Sequence, residues 1–338
     1  MSAAVTGAGV LRAAGSPVSR RVRAFFAPID RSGGGQAAGV TAIFDAARSG
    51  SLLLDAMPAP WVDLGGCRSF VRRSGTKVDA VRSGSPATAR EQVRTEAEAT
   101  VEVAFESWGK LQLALSAGVQ QMNLLAPAAD GSGGTAAGAV PLVTGGGGSA
   151  GSGSTATTLT VGATIAAGFA VGALVAVDAD YTGQTGYVGA GASGGYVNSS
   201  ASIGADVDYV RRVTLNVGVV SAIAGGVLTM AEPLLAGAPT AGMQVSRVVG
   251  FVDREGGGFF QEWTGLFCAE GEQGDRVWFF YPRLQAMTGA AEQSEVLTGS
   301  LARMRLNGKF RALATKDSND GSQVLCYRSY LPAPMRLI

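Results

Sequence analysis

The sequence predicts a mainly β protein with one flanking helix and a small inserted all-β domain. Three observations lead to this prediction. Charged and apolar residues alternate in two long stretches, aromatic residues concentrate in the last third of the chain, and a glycine-rich middle segment separates regions of different composition. Alternation with a period of two places successive side chains on opposite faces of a strand. The length of 338 residues is enough for two domains.

Residues 1–54 are predicted to form an N-terminal arm and an extended segment. The first 15 residues are mostly small and apolar, and the first arginine, Arg12, comes only near their end. A secretory signal places its cationic residues before the apolar stretch, so we expect no export signal. The chain has three widely separated cysteines, which form no CxxC pair and favour folding in a reducing cytoplasm.

The most informative stretch is a strand predicted over residues 92–105, around which four glutamates occupy even-numbered positions. The odd-numbered residues between them are apolar, so one face is expected to pack in a core and the other to carry like charges. Such a face repels itself and needs either cationic partners or a function that uses negative surface. This acidic stripe consists of Glu96, Glu98, Glu102 and Glu106.

A second amphipathic strand, of opposite charge, is predicted over residues 301–314. Its basic stripe consists of Arg303, Arg305, Lys309 and Arg311, and its even-numbered positions are mostly apolar. In one interpretation the two strands pair and form a ladder of cross-strand salt bridges. In the other they lie on different surfaces, one of which faces a negatively charged partner or channel. The alternation of charges fits both interpretations.

The charge of the chain is balanced overall but uneven along it. With 27 basic and 26 acidic residues the formal net charge is +1, so no general attraction to nucleic acid or membrane follows. Residues 67–94, in contrast, contain seven basic and two acidic residues. The basic residues of this segment are Arg68, Arg72, Arg73, Lys77, Arg82, Arg90 and Arg94.

The composition argues against an enzyme, a cofactor and a metal site. The chain has no histidine, which removes the commonest general base and metal ligand, and a zinc site is disfavoured without histidine or paired cysteines. Residues 189–194 fit the GxGxxG pattern of dinucleotide sites, but no helical pattern follows them. The carboxylates of residues 253–255 and 275 are expected to form salt bridges at strand ends. We therefore expect a non-enzymatic protein.

The domain division follows the changes in composition. Ser107 is predicted to cap a helix over residues 108–117, which Gly118 ends. Residues 131–157 are a flexible Gly/Ser-rich linker, and residues 158–244 form the inserted β domain. Aromatic strands return after that insert, so the main domain is split into residues 55–130 and 245–338. Within the insert, residues 159–177 are uncharged but built of small residues, which favours a β region over a membrane span.

Five segments of the split domain resemble bacteriophage tail tube (major tail) proteins. They are residues 71–78 (VRRSGTKV), 92–96 (QVRTE), 105–116 (FESWGKLQLALS), 274–283 (GDRVWFFYPR) and 326–332 (CYRSYLP). The likeness covers roughly residues 55–125 and 245–335 and contains no catalytic motif. The inserted domain is not part of the minimal fold of that family.

The resemblance implies a structural virion protein with a tail-tube-type β-sandwich and one flanking helix. Six subunits would form a ring in which their sheets join into an inner β barrel, and stacked rings would make the tube that conducts DNA. The implied partners are copies of the chain itself, other tail proteins such as the tape measure, tail terminator and baseplate proteins, and double-stranded DNA that passes without specific binding. The implied location is the phage tail, assembled in the bacterial host cytoplasm, with no membrane partner.

The resemblance also suggests roles for the charged residues. The acidic stripe is the candidate for a lumen that repels DNA phosphates, and the basic stripe would neutralise part of it, across a subunit boundary in one version. The basic residues of segment 72–94 are candidates for contacts between subunits or rings. The insert is expected on the outer surface, which favours a long non-contractile tail. The alternatives are a surface or capsid-decorating β protein with a glycan-binding insert, and a carboxylate hydrolase.

Overall fold

The computed structural model confirms that the chain is mainly β, with large antiparallel sheets. It describes residues 19–29, 44–49, 54–55, 57–58, 61–118, 120–125, 140–141, 153–179, 217–234, 237–239, 243–254, 262–272, 274–287, 291–298, 301–317 and 319–332. Its elements are β1 (Ser19–Pro28), α1 (Ala46–Ser49), β2 (Val62–Ser83), β3 (Thr88–Phe105), α2 (Lys110–Ala117), β4 (Gln120–Leu125), β5 (Val140–Pro141), β6 (Thr158–Thr160), α3 (Ala163–Ala166), β7 (Leu174–Ala179), β8 (Val217–Ala224), β9 (Val227–Met230), β10 (Met243–Arg254), β11 (Glu262–Gly271), β12 (Arg276–Ala286), β13 (Ala291–Thr298), β14 (Leu301–Ala312), β15 (Thr315–Lys316), β16 (Gln323–Val324) and β17 (Tyr327–Leu331).

The larger sheet closes on itself. Its strand order is β13-β14-β3-β2-β1-β11-β12-β17, and an additional pairing joins β14 to β12. The six strands β14, β3, β2, β1, β11 and β12 therefore form a closed antiparallel ring, while β13 and β17 lie beside it. The closure runs through Phe310 of β14, which is paired with Val101 on one side and Ala286 on the other. The layering of a sandwich stays a prediction, since the pairing itself shows a closed ring of strands.

The interior of this ring holds the main hydrophobic core. The core-facing residues of β3 and β14 alternate along each strand, and they are Ala99, Val101, Val103 and Phe105 of β3 and Leu306, Phe310 and Ala312 of β14. The core is aromatic at its centre, where Phe26 packs against the rings of Phe267 and Phe310 at centroid distances of 5.8 and 5.3 Å. These contacts are edge-on, the arrangement that aromatic quadrupoles favour.

The predicted N-terminal arm of residues 1–54 contains β1, which belongs to the larger sheet. This strand lies inside the sheet, paired with β2 on one edge and with β11 on the other. Ala24 and Phe26 face the interior core, whereas Phe25 and Ala27 pack in a second cluster on the outer face. A strand buried on both faces shows no alternation of polar and apolar residues, so its pattern did not reveal it.

The described residues between positions 44 and 61 cover that outer face. Phe44, Leu54 and Trp61 pack with the outward side chains of β1, β11 and β12. Arg23 of β1 holds this segment by ion pairs with Asp55 and with Asp63 of β2. The arm predicted from the sequence is thus, where the structure describes it, an integral part of the packed β unit.

Helix α2 flanks the ring as predicted, but it begins later than the sequence suggested. Gly109, not Ser107, is its N-cap, and the backbone N–H of Gly109 donates to Gln112 Oε1 at 2.9 Å. The helix ends at Gly118, whose φ of 65° is left-handed and suits a residue without a side chain. Leu115 is buried in the main core, so the apolar side of the helix covers the ring of strands.

The second sheet has the order β4-β10-β7-β8-β9-β6, with β5 also paired to β10. The predicted boundary at residue 245 is therefore wrong, because it cuts β10, and β4 also lies beyond the predicted insert. β10 and β11 follow one another in the chain but enter different sheets. Residues 154–157 of the predicted linker are structured too, with the Ser154 hydroxyl accepting a hydrogen bond from the Thr160 N–H at 3.0 Å.

Residues 159–177 contain parts of two strands and the short α3 rather than one long helix. β6 pairs with β9 and β7 pairs with β8 and β10, so the apolar residues of the segment serve the core of the second sheet. Among the residues that the structure describes, no helix has both the length and the apolar character needed to cross a membrane.

Candidate functional site

The most prominent surface feature is the long hairpin of β2 and β3. The two strands are in register from Cys67 opposite Phe105 out to Ser83 opposite Thr88, with three register shifts on the way. Near the ring of strands one side is buried, as the positions of Ala99 and Val101 show. From Gly75 opposite Glu98 to the tip, side chains on both faces are exposed, and we call this part the hairpin arm. At about 3.3 Å per residue it is roughly 30 Å long.

The hairpin arm exposes apolar as well as charged side chains. Val78, Val81 and Val93 are 44%, 51% and 45% exposed, although each lies in regular strand structure. A two-stranded hairpin on its own is at best marginally stable in water. The arm is therefore suited to being covered by another molecule.

At the base of the arm, the two predicted stripes meet in a charged ladder on the outer face of the ring. Lys309 Nζ lies 3.0 Å from Glu102 Oε1, and Arg311 Nη2 lies 3.5 Å from Glu98 Oε1. Arg73 of β2 also reaches Glu102, at 3.5 Å. The ladder interpretation of the two stripes is confirmed for these residues, and the pairing occurs within one chain.

The other half of the basic stripe has a partner that the sequence did not reveal. Arg303 and Arg305 both contact Glu295 of β13, at 2.8 and 2.5 Å. Glu295 lies in a stretch without a clear alternation, so only the pairing of β13 with β14 identifies it. The ladder therefore contains five basic and three acidic side chains, and the negative surface predicted for the stripe does not extend across it.

Ion pairing lowers the pKa values of two carboxylates of the ladder, each of which contacts two basic side chains. The hydrogen bond from Lys309 lowers the pKa of Glu102, with further contributions from the charges of Lys309 and Arg73. The hydrogen bond from Arg303, with the charge and hydrogen bond of Arg305, lowers the pKa of Glu295. Both groups thus stay ionised to lower pH than a free glutamate.

The remaining glutamates of the acidic stripe differ from this pair. Glu96 lies on the hairpin arm opposite Lys77, and no ion pair within the described part of the chain involves it. Glu106 lies just beyond β3 and packs its carboxylate over Gly66, where a Cβ atom would approach Glu106 Oε2 to 2.4 Å. The structure thus divides the four predicted lumen residues among three environments, and their assignment to a lumen stays a prediction.

The basic residues of segment 72–94 are also spread over different places. Arg73 belongs to the ladder, and Arg72 is half-buried at the base of the arm. Lys77, Arg82 and Arg94 are exposed on the arm, and Arg90 lies beside a register shift near its tip. Their proposed contacts between subunits or rings remain predictions.

The described residues hold no cluster of three or more side chains suited to a metal ion. Burial raises the pKa of the Cys67 and Cys268 thiols to about 12, so neither is a reactive thiolate at neutral pH. The GxGxxG segment and the tyrosines at positions 181, 187, 196 and 209 lie outside the described residues, as does most of the predicted linker. No protein-family model matches the chain, and a search of curated proteins finds no significant match.

Proposed function

We propose that this protein is the structural subunit of a bacteriophage tail tube, assembling into stacked hexameric rings through which DNA passes. The family resemblance suggests the idea, and one structural observation supports it best. The hairpin arm exposes three valines and charges of both signs on a ribbon that extends about 30 Å beyond the ring of strands. A ribbon of this kind suits a subunit whose fold is completed by its neighbours.

The open edges of the larger sheet are a second source of support. In the described pairing, β17 contacts only β12 and β13 contacts only β14, so each presents an edge to another molecule. An exposed strand edge is a template for pairing with another chain. Tyr327 and Tyr330 on β17 are 38% and 49% exposed, which adds apolar area to that edge. Joining sheets between subunits would remove both edges.

Electron microscopy of the purified full-length chain tests this proposal. The expected result is rings or hollow tubes of uniform diameter, formed at high protein concentration or when preformed tail initiation complexes are added. A chain that stays monomeric in both conditions would contradict the proposal. Glu96→Lys is the cleanest probe of a DNA-facing surface, because this side chain has no ion pair among the described residues to break. Its matched control is Glu232→Lys, at an exposed glutamate outside the larger sheet.

The alternative is a surface or capsid-decorating protein with a glycan-binding insert. Glycan sites need clustered, exposed aromatic rings. Phe169, the aromatic residue that the structure describes within the predicted insert of residues 158–244, packs against the core of the second sheet. We therefore favour the tail tube, and a glycan array probed with the full chain separates the two functions.

A further inference from the structure

We propose that the hairpin arm is a two-faced ribbon that binds a second copy of this chain, the acidic face of one arm lying on the basic face of the next. This inference deepens the proposed function and rests on it, because it supplies a contact between subunits. It follows from the register of β2 and β3, which assigns the charged residues of the arm to its two faces, except for Arg90, which has no partner in that register because it lies at the shift beside Arg82.

The register separates the charges by sign. Residues directly opposite one another share a face, and successive residues of a strand alternate. On one face, Asp79 is opposite Val93 and Val81 is opposite Glu91, with Glu96 and Glu98 further toward the base. The cation on this acidic face of the arm is Lys77, opposite Glu96, so its net charge is negative.

The other face of the arm is positive. Val78 is opposite Arg94, and Arg82 is opposite Ala89. The pairs between them and the base are Ala80 with Gln92 and Thr76 with Ala97, which are uncharged. No carboxylate shares this basic face over residues 76–82. The register shift between Lys77 and Val78 produces the separation, because it moves Arg94 to the face opposite Glu96.

Both faces combine charge with exposed apolar surface. Val81 and Val93 are on the acidic face and Val78 is on the basic face. A partner that covers one face can therefore bury valines while it places charges of opposite sign against those of the arm. Interfaces usually combine an apolar centre with a polar rim in this way.

A second copy is the partner that matches both faces at once. A polyanion such as DNA would be attracted to Arg82 and Arg94 but repelled from Asp79 and Glu91. A second arm presents the complementary sign at the same length and spacing, and its own other face is then ready for a third copy. Such a head-to-tail contact is heterologous, so it builds a ring if the rotation closes and a filament if it does not.

The contact also gives the acidic residues of the arm a partner other than DNA. Glu96 was predicted to face the lumen from the sequence alone. In a stacked ribbon it would instead face the basic side of a neighbouring arm. Exchanging the charges of the two faces tests this contact directly.

The test uses two charge-reversed proteins, alone and mixed. Arg82→Glu/Arg94→Glu makes both faces of the arm acidic, and Asp79→Lys/Glu91→Lys makes both faces basic. We expect each protein alone to associate about tenfold more weakly than the wild type, or not at all, because like charges then meet across the contact. An equimolar mixture should regain association, since acidic and basic arms can alternate. Sedimentation velocity and electron microscopy at low and high salt provide the readouts.

The matched control is Arg48→Glu/Arg247→Glu, which makes the same charge change at two exposed positions outside the arm. It should associate as the wild type does. Normal association of either swapped protein alone, or a mixture that stays dissociated, would overturn the inference, as would a wild type that never associates. Hollow tubes formed equally by all variants would retain the tube function and reject the stacked arms. Salt-sensitive chains without a bore, restored by mixing, would retain the stacked arms and reject the tube.

Discussion

Replacing Phe310 by alanine should destabilise the ring of strands more than any exposed substitution, because Phe310 lies where the ring closes. Its side chain is 1% exposed, and its strand neighbours are Val101 of β3 and Ala286 of β12. Removing a buried phenylalanine ring typically costs about 3–5 kcal/mol, through lost transfer free energy and the cavity left behind. We expect the free energy of unfolding to fall within that range.

Denaturant unfolding followed by tryptophan fluorescence measures this change. All four tryptophans of the chain pack in or against the two clusters of the larger sheet, so their emission reports on the unit that contains Phe310. Val93→Ala on the hairpin arm is the matched control. Because Val93 is 45% exposed, its loss should change the free energy of unfolding by less than about 0.5 kcal/mol in the isolated subunit.

A double-mutant cycle separates ring contacts from cavity effects. Phe26 and Phe310 are 5.3 Å apart between ring centroids. Combining Phe26→Leu with Phe310→Leu should give a coupling free energy of about 0.5–1.5 kcal/mol, the usual worth of an aromatic pair. If Phe310→Ala lowered the free energy of unfolding by less than about 1 kcal/mol, the account of the closure would be refuted, because removing a well-packed buried ring destabilises a protein by more than that.

Three further changes test the ladder, the helix end and the cysteines. Glu102→Gln removes the carboxylate 3.0 Å from Lys309 and should lower the free energy of unfolding by about 0.2–1 kcal/mol at neutral pH. Since the folded pKa of Glu102 is lowered, this contribution is present above the unfolded pKa and lost as pH falls through the folded one. Gly118→Ala should cost about 1–3 kcal/mol, because φ is 65° at this position. Native protein at pH 8 should react with a thiol reagent at Cys326 before Cys67, which burial protects.

Each of these expectations has a clear contrary result. Glu91→Gln, on the exposed arm, is the control for the ladder, and an equal loss in both variants would remove the special role of Glu102. A Gly118→Ala protein as stable as the wild type would mean that the helix end can relax. Labelling of Cys67 in the native state as fast as Cys326, read by mass spectrometry of the peptides, would contradict the burial that raises the pKa of its thiol.

The sequence predicted strands best where one face is buried and the other is exposed to solvent. Val101 and Val103 flank Glu102 in β3, and this period of two identified the strand and its core face. The same alternation identified the acidic and basic stripes, and their pairing was one of the two interpretations that it left open. The alternation could not predict that the sheet closes through β14. Closure depends on which distant strands pair, and such pairing leaves no periodicity in the sequence.

Register shifts between paired strands prevented the prediction of other features of the fold. Pro282 lies inside β12, and the strand continues past it through a register shift opposite Thr264, whose hydroxyl donates to Pro282 O at 3.0 Å. Proline is tolerated at such irregularities, where no ladder hydrogen bond is needed from it. The two faces of the hairpin arm could not be assigned from sequence either, since the shift beside Lys77 reverses the orientation expected from simple alternation.

The position of β1 between β2 and β11 sets an order of events during synthesis on the ribosome. Pro28 ends β1 and Glu262 begins β11, 234 residues later in the chain. At 5–20 residues per second, the ribosome needs roughly 10 to 50 s to deliver the second neighbour of β1. The hairpin of β2 and β3 can form within that interval. The edge of β1 that pairs with β11, on the strand that carries Phe25 and Phe26, stays unpaired until β11 has been synthesised. Over that interval the nascent chain exposes an aromatic strand edge, which is a template for pairing with other chains.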